Sequence, residues 1–210
     1  MWRIWLRPDS DLEERYACLS DEDRARADRF LFDKDRHQLI LSHFAQQSIL
    51  DHYLGAGNWQ LERADHGKPR LVGGELEFNL SHAHQLALMA VGTTQLGVDV
   101  EYTERPVEYL SLARRFFAAD EVAVFESLTP EQQSQEFFTI WTRKEAYIKA
   151  IGDGLSHPLD AFSVNLDRQA PAFHNCPGWS LYELDVPRDY RAALATKGPV
   201  SVRMRDFRPR

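Results

Sequence analysis

The stretch FFTIWTRKEAYIKAIGDGL, residues 137–155, constrains the fold more than any other part of the chain. Wound at about 100° per residue, it is a helix with an apolar stripe. The stripe consists of Phe137, Ile140, Trp141, Ile148 and Ile151. Lys144 falls inside the stripe, Glu145 lies at its edge, and Lys149 follows one turn later. Because a buried charge is unfavourable by several kcal/mol unless it is paired or bound to a metal, we expect these charges to have partners in the fold.

The segment LGVDVE offers one such partner. In a strand, Asp99 and Glu101 lie on the same face, roughly 7 Å apart. Two carboxylates at that spacing fit either a solvated edge strand or a site for a hard cation such as Mg²⁺. Glu145 would be a third carboxylate if its helix crosses the sheet, whereas a Glu145–Lys149 pair on the helix surface is the local alternative.

The order of elements predicts an α+β fold: a strand, helices, strands, then helices and strands again. Ser20 and Thr129 are predicted helix N-caps, the second with Pro130 after it, and a long helix should end near Gly55. Alternating patterns predict strands in LEFNLSHAHQLALMAVGTTQLGVDVEY and in the tail, including PVSVRMR. We expect two pseudo-equivalent subdomains, residues 1–104 and 105–210, that pack tightly against each other.

Composition limits the function. The hydrophobic fraction of 43% allows a real core, and the formal net charge of −7 argues against a general nucleic-acid binder. No run approaches the roughly 18 apolar residues of a membrane span. Two cysteines are too few for a disulfide framework. We therefore expect a cytoplasmic protein with no nucleic-acid or membrane partner.

The remaining candidate motifs are weak when taken singly. FNLSHAH places Ser81 and His82 at a strand end, where such side chains can contact phosphate. HGKPR can offer backbone groups and Lys68 to a ligand or be a plain surface turn. No GxSxG elbow, Walker loop or GxGxxG fingerprint is present.

The order of these motifs is more specific. GKP, FNLSHA, GVDVE and WTRKEAYIKAIGDGL, with RRFF between the last two, resemble the 4′-phosphopantetheinyl transferase superfamily. The length and layout resemble the larger, monomeric Sfp-type members rather than the half-sized trimeric holo-acyl-carrier-protein synthases. The resemblance implies transfer of 4′-phosphopantetheine from coenzyme A to a serine of an apo acyl or peptidyl carrier protein, with release of adenosine 3′,5′-bisphosphate.

The resemblance also implies that the two halves are related by pseudo-twofold symmetry, with the active site in the cleft between them, and it implies roles for individual residues. The positions that match metal ligands for Mg²⁺ are Asp99, Glu101 and Glu145. Those that match catalytic positions are Glu145 and Lys149. Those that match coenzyme A contacts are Arg26, Gly67, Lys68, Pro69, Ser81, His82, Lys144 and Lys149. Asp23 stands where family members can carry a basic residue, so the residues that hold the 3′-phosphate stay open.

Two other functions also remain open: a non-catalytic module that binds coenzyme A or a carrier protein, and a Mg²⁺-dependent pyrophosphate hydrolase. Carrier proteins are typically acidic, as is this chain, so docking requires a local basic patch. Arg114 and Arg115, beside Phe116 and Phe117, are the predicted patch. The sequence does not distinguish a carrier of fatty-acid biosynthesis from one of secondary metabolite biosynthesis.

Overall fold

The computed structural model describes residues 1–8, 11–64, 66–74 and 76–209, with Leu155 described by its backbone only. The helices are α1 (Leu12–Cys18), α2 (Asp21–Ala27), α3 (Asp33–Leu54), α4 (Tyr109–Phe116), α5 (Ala119–Glu126) and α6 (Pro130–Ile151). The strands are β1 (Trp2–Trp5), β2 (Leu61–Arg63), β3 (Pro69–Leu71), β4 (Glu77–Ala83), β5 (Leu86–Gly92), β6 (Leu96–Tyr102), β7 (Ser163–Val164), β8 (Phe173–His174), β9 (Trp179–Glu183), β10 (Tyr190–Lys197) and β11 (Arg205–Asp206). Helices and strands mix in this order, which confirms the α+β class.

The helix ends follow local capping chemistry. The Ser20 hydroxyl accepts a hydrogen bond from the Asp23 amide at 3.1 Å, which starts α2. At the start of α6, Thr129 and Gln132 each accept a hydrogen bond from the other's backbone amide. Gly55 ends α3 with a positive φ of 85°. These three predicted helix ends are confirmed.

Two sheets form the centre of the molecule. The first has the strand order β11-β1-β5-β4, and the second has the order β6-β10-β9. Leu88 of β5, Val98 of β6 and Leu194 of β10 belong to one core cluster, so the sheets pack on each other. Ile49 of α3 packs against the first sheet, and Ala146 of α6 packs against the second. The result is a helix, sheet, sheet, helix arrangement.

Side chains of β4 tie the two sheets together where no backbone ladder does. The buried Asn79 side chain accepts a hydrogen bond from the Val98 amide at 2.8 Å. The Ser81 hydroxyl accepts one from the Val100 amide at 3.4 Å. The polar side chains of FNLS thus accept hydrogen bonds from backbone amides on the edge of β6 that does not pair with β10. These bonds fix β4 beside the strand that carries Asp99 and Glu101.

Strand pairing crosses the predicted subdomain boundary at residue 104. β6, from the first half of the chain, pairs with β10, and β11, from the end of the chain, pairs with β1. This pairing does not test the division into residues 1–104 and 105–210, which stays a prediction.

Two local expectations differ from the structure. The helix α1 precedes the first predicted helix and was not anticipated. In PVSVRMR, strand pairing is confined to the last residue, Arg205, which with the following Asp206 forms β11 at the edge of the first sheet. Val202 and Met204 still pack against the core between the sheets, so the alternation reflects burial without a ladder. No helix in the described part of the chain is long and apolar enough to cross a membrane.

Candidate active site

Gly97 determines how closely α6 approaches β6. A Cβ atom at this position would lie 2.7 Å from the Lys149 carbonyl carbon and even closer to backbone atoms of Ala146 and Ala150. Only glycine therefore allows this contact between helix and strand. Because Asp99 and Glu101 follow Gly97 at two-residue steps, their side chains lie on the face that α6 covers. Two successive helical turns then bring Glu145 and Lys149 over that face.

A hydrogen-bonded network joins the strand to the helix. The Lys149 ammonium lies 2.6 Å from Asp99 Oδ1 and 2.9 Å from Ser81 Oγ. The Ser81 hydroxyl also donates to Asp99 Oδ1 at 3.0 Å. Burial alone would lower the pKa of Lys149, but Asp99, Glu145 and Glu101 together raise it above its ordinary value. Lys149 therefore stays charged, and Ser81 orients the Asp99–Lys149 pair.

The carboxylates near this pair oppose one another. Burial, with the negative charge of Asp99, raises the pKa of Glu101 to about 7, against the charges of Arg105 and Lys149. Burial and Asp99 also raise the pKa of Glu145. A cation placed among these carboxylates would stabilise their ionised forms and lower their pKa values.

The donor set suits a hard cation. Asp99, Glu101 and Glu145 offer only oxygen ligands, as Mg²⁺ prefers, and Asp99 Oδ2 is buried with no hydrogen-bond partner among the described residues. Over the residues described, however, no three acidic, histidine or cysteine side chains form a group that could hold a metal ion as they stand. The cation on Asp99 is instead the Lys149 ammonium.

A cavity of about 620 Å³ opens over these residues, and we call it the catalytic cavity. Its lining includes Ser81, His82, Asp99, Glu101, Glu145 and Lys149. Arg115 and Phe116 of α4 line another side. The predicted basic patch is thus divided. Arg115 faces the cavity, whereas Arg114 pairs with Glu126 at 2.7 Å and Phe117 is buried.

A second cavity, of about 720 Å³, adjoins the first, and His82 lines both. Arg26, Gly67 and Pro69 are among its lining residues, so the structure brings three of the predicted coenzyme positions together there. Asp23 also lines it and lies 2.9 Å from His43 Nδ1. His43 therefore partners the acidic residue that stands where the family can carry a basic one.

Lys144 does not reach either cavity. Its side chain is fully buried, and its ammonium lies 2.8 Å from Glu121 and donates to the carbonyls of Leu159 and Phe162. Burial lowers the pKa of Lys144 and raises that of Glu121, and their mutual attraction opposes both shifts. Glu121 in turn accepts from the amides of Ala118 and Val164. The coenzyme contact expected of Lys144 is thus replaced by a structural role.

Lys68 is also committed elsewhere. Its ammonium donates to the carbonyls of Leu96, at 3.0 Å, and Ala150, at 3.2 Å. Burial lowers its pKa. The side chain therefore fastens its loop to the end of α6 and the start of β6, and it is not among the residues that line the second cavity. The coenzyme contact expected of the Lys68 side chain is corrected accordingly.

Sequence reasoning missed one wall of the catalytic cavity. His157, Pro158, Leu159 and Asp160 line it, on the segment that Lys144 holds through its carbonyls. His157 belongs to none of the sequence motifs described above. The available signal was its spacing of four residues from Asp153, whose carboxylate lies 3.7 Å from His157 Nδ1.

Comparison with known families matches both parts of the chain. Residues 95–195 match the model described as the 4′-phosphopantetheinyl transferase superfamily. Residues 3–94 match the model described as 4′-phosphopantetheinyl transferase, N-terminal.

Individual relatives match over most of their length. The 4′-phosphopantetheinyl transferase HetI from Nostoc sp. is 40% identical over 207 residues, which cover 94% of this chain and 87% of the relative. The 4′-phosphopantetheinyl transferase psf-1 from Bacillus pumilus is 32% identical over 217 residues, which cover 96% of this chain and 91% of the relative. The 4′-phosphopantetheinyl transferase Sfp from Bacillus subtilis is 30% identical over 204 residues, 92% of this chain and 89% of the relative.

Proposed function

Because this chain belongs to the 4′-phosphopantetheinyl transferase superfamily, we propose that it transfers 4′-phosphopantetheine from coenzyme A to a serine of an apo carrier protein. The observation that carries this assignment to particular residues is the Asp99–Lys149 pair at 2.6 Å beside Glu145, at the floor of a cavity. His82 lines both this cavity and the adjoining one, so a bound coenzyme would extend from one cavity into the other.

The reaction is a displacement at phosphorus. The serine oxygen forms a bond to the β-phosphorus of the coenzyme pyrophosphate, the bond from that phosphorus to the bridging oxygen breaks, and adenosine 3′,5′-bisphosphate leaves. Glu145 accepts the serine proton, directly or through water. Its raised pKa makes it a stronger base than an exposed glutamate. A carboxylate is nevertheless weakly basic toward a hydroxyl, so positioning and electrostatics supply most of the rate.

Lys149 provides the fixed positive charge. Its ammonium is already oriented by Asp99 and Ser81, so little reorganisation is needed when a pyrophosphate enters. A charge held in place in a partly buried site stabilises the negative charge that develops on the leaving bisphosphate. Ser81 thus acts through Lys149 and Asp99, while His82 lies where the two cavities meet.

Asp99, Glu101 and Glu145 would hold Mg²⁺. When bound, the ion would offset charge on the pyrophosphate oxygens. In Asp99, the oxygen available for this role is Oδ2, which is buried and has no hydrogen-bond partner. The monomeric state and the cytoplasmic location stay predictions from the sequence.

The product of the reaction tests this function. The protein is incubated with coenzyme A, Mg²⁺ and a panel of apo carrier proteins, and each carrier is weighed by mass spectrometry. A gain of one phosphopantetheine supports transfer and identifies the preferred carrier class. Breakdown of coenzyme A without a change in the carrier indicates a pyrophosphate hydrolase, and neither change indicates a binding module.

The matched variant is Glu145→Gln, which removes the base and keeps the shape of the side chain. We expect it to abolish the mass gain while the circular dichroism spectrum and the melting temperature stay close to those of the parent. Full transfer by this variant would exclude Glu145 as the proton acceptor.

A further inference from the structure

A third cavity, of about 640 Å³, lies beyond Glu101, and the function proposed above does not use it. It is formed by the segment after β6, the start of α4, the first turns of α6 and the residues that lead into β10. Its lining contains Arg105, Arg168, Arg188 and Arg191 and one acidic residue, Glu104. We call this cavity the basic groove. Its excess of positive charge contrasts with the chain's net charge of −7.

Two of these arginines already have a counter-charge. Arg105 lies 2.9 Å from Glu101, and Arg168 lies 2.8 Å from Glu183. Arg188 and Arg191, by contrast, make no ion pair with any residue that the structure describes. Two arginines that line the groove thus lack an ion-pair partner within 4 Å among the described residues.

Arg191 is the more constrained of the two. One of its terminal nitrogens donates to the backbone carbonyls of Arg188 and Tyr190, and its Nε is buried without a hydrogen-bond partner. Burial and the charge of Arg168 lower the pKa of Arg191, against the negative charges of Glu136 and Glu183. Arg191 thus lines the groove with a positive charge held in place by backbone carbonyls, and an anionic group in the groove would be attracted to it.

The basic groove lies next to the catalytic residues. Arg191 lies opposite Glu101 in the register of β10 and β6. The helix α4 connects the two cavities, because Tyr109 at its start lines the groove and Arg115 near its end lines the catalytic cavity. Eight residues of helix span about 12 Å, which a single protein surface can cover.

We propose that the basic groove receives an acidic surface of the protein that supplies the acceptor serine. This inference rests on the proposed function and adds the place where the partner docks. An acidic partner is repelled by the chain as a whole, so a local basic groove is needed to orient it. Guanidinium groups suit this task because they bind carboxylates in a fixed, two-pronged geometry.

The test is the charge reversal Arg188→Glu in the full chain, because Arg188 is exposed and does not line the catalytic cavity. We expect the KM for the carrier to rise about tenfold at low salt, with kcat and the KM for coenzyme A unchanged. Arg188→Ala should give a smaller rise. The control, Arg203→Glu, makes the same charge change at an exposed residue on a different cavity and should leave all three constants unchanged.

The salt dependence gives a second measurement. Added NaCl should raise the carrier KM of the parent, and this slope should be shallower for Arg188→Glu. A carrier KM for Arg188→Glu within twofold of both the parent and Arg203→Glu would overturn the inference while leaving the transferase activity intact. Inorganic phosphate binding that Arg188→Glu abolishes, with an unchanged carrier KM, would assign the groove to a small anion and also overturn it. A parent that modifies no carrier would refute the proposed function itself and this inference with it.

Discussion

Lys149 Nζ and Asp99 Oδ1 lie 2.6 Å apart and join the helix α6 to the strand β6 at the floor of the catalytic cavity. Asp99 is almost fully buried, whereas Lys149 still reaches the cavity. The same contact therefore neutralises a buried carboxylate and presents a positive charge to whatever enters.

Lys149→Met should abolish transfer and also destabilise the protein by about 3 kcal/mol, because it leaves the buried Asp99 carboxylate without its counter-charge. Urea denaturation measures the stability, and carrier mass gain measures the transfer. The double variant Asp99→Asn/Lys149→Met should recover most of the stability and none of the transfer. A single variant as stable as the parent would show that Asp99 does not depend on Lys149.

Gly97→Ala should destabilise the protein by roughly 2 kcal/mol or more and lower the transfer rate, because the added methyl group meets the backbone of α6. Moving α6 away from β6 would separate Glu145 and Lys149 from Asp99. Thermal melts and transfer assays check both effects.

The control for this change is Gly92→Ala, where the new methyl group would meet only the end of the Leu96 side chain at 3.0 Å. We expect a smaller effect there, because a side chain can rotate away and a helix backbone cannot. Equal effects at Gly92 and Gly97 would contradict the close packing of helix on strand.

The sequence predicted what depends on neighbours along the chain. The caps at Ser20 and Thr129 involve residues within three positions, and their patterns are readable for that reason. Lys144 and Lys68 were assigned to the coenzyme, yet both donate to backbone carbonyls far away in sequence. A lysine that binds a phosphate and one that binds a carbonyl look alike in a sequence, because only the tertiary contacts distinguish them.

Lys144→Met should destabilise the protein by about 3 kcal/mol, because Glu121 would remain buried without its partner. Any rise in the KM for coenzyme A should be small and should accompany a lowered melting temperature, since Lys144 lines neither cavity and acts only through the segment whose carbonyls it holds. Lys144→Met/Glu121→Gln should recover part of the stability. An unchanged melting temperature with a raised KM for coenzyme A would return Lys144 to the coenzyme site.

Arg26→Ala should raise the KM for coenzyme A about tenfold and leave the KM for 3′-dephospho-coenzyme A nearly unchanged, because an arginine that contacts the 3′-phosphate is needed only when that phosphate is present. Arg26 lines the cavity that adjoins the catalytic cavity at His82, which is where the nucleotide end of the coenzyme would lie. Steady-state kinetics with the two substrates measure the difference.

The matched control is Arg29→Ala, three residues further along the chain and just past the end of α2; Arg29 is exposed but not among the residues that line this cavity. It should affect neither substrate. An equal rise in KM for both forms of the coenzyme in Arg26→Ala would mean that Arg26 supports the shape of the cavity. No rise with either form would assign the 3′-phosphate to other residues, and His43, the partner of Asp23 in the same cavity, would be the next to test.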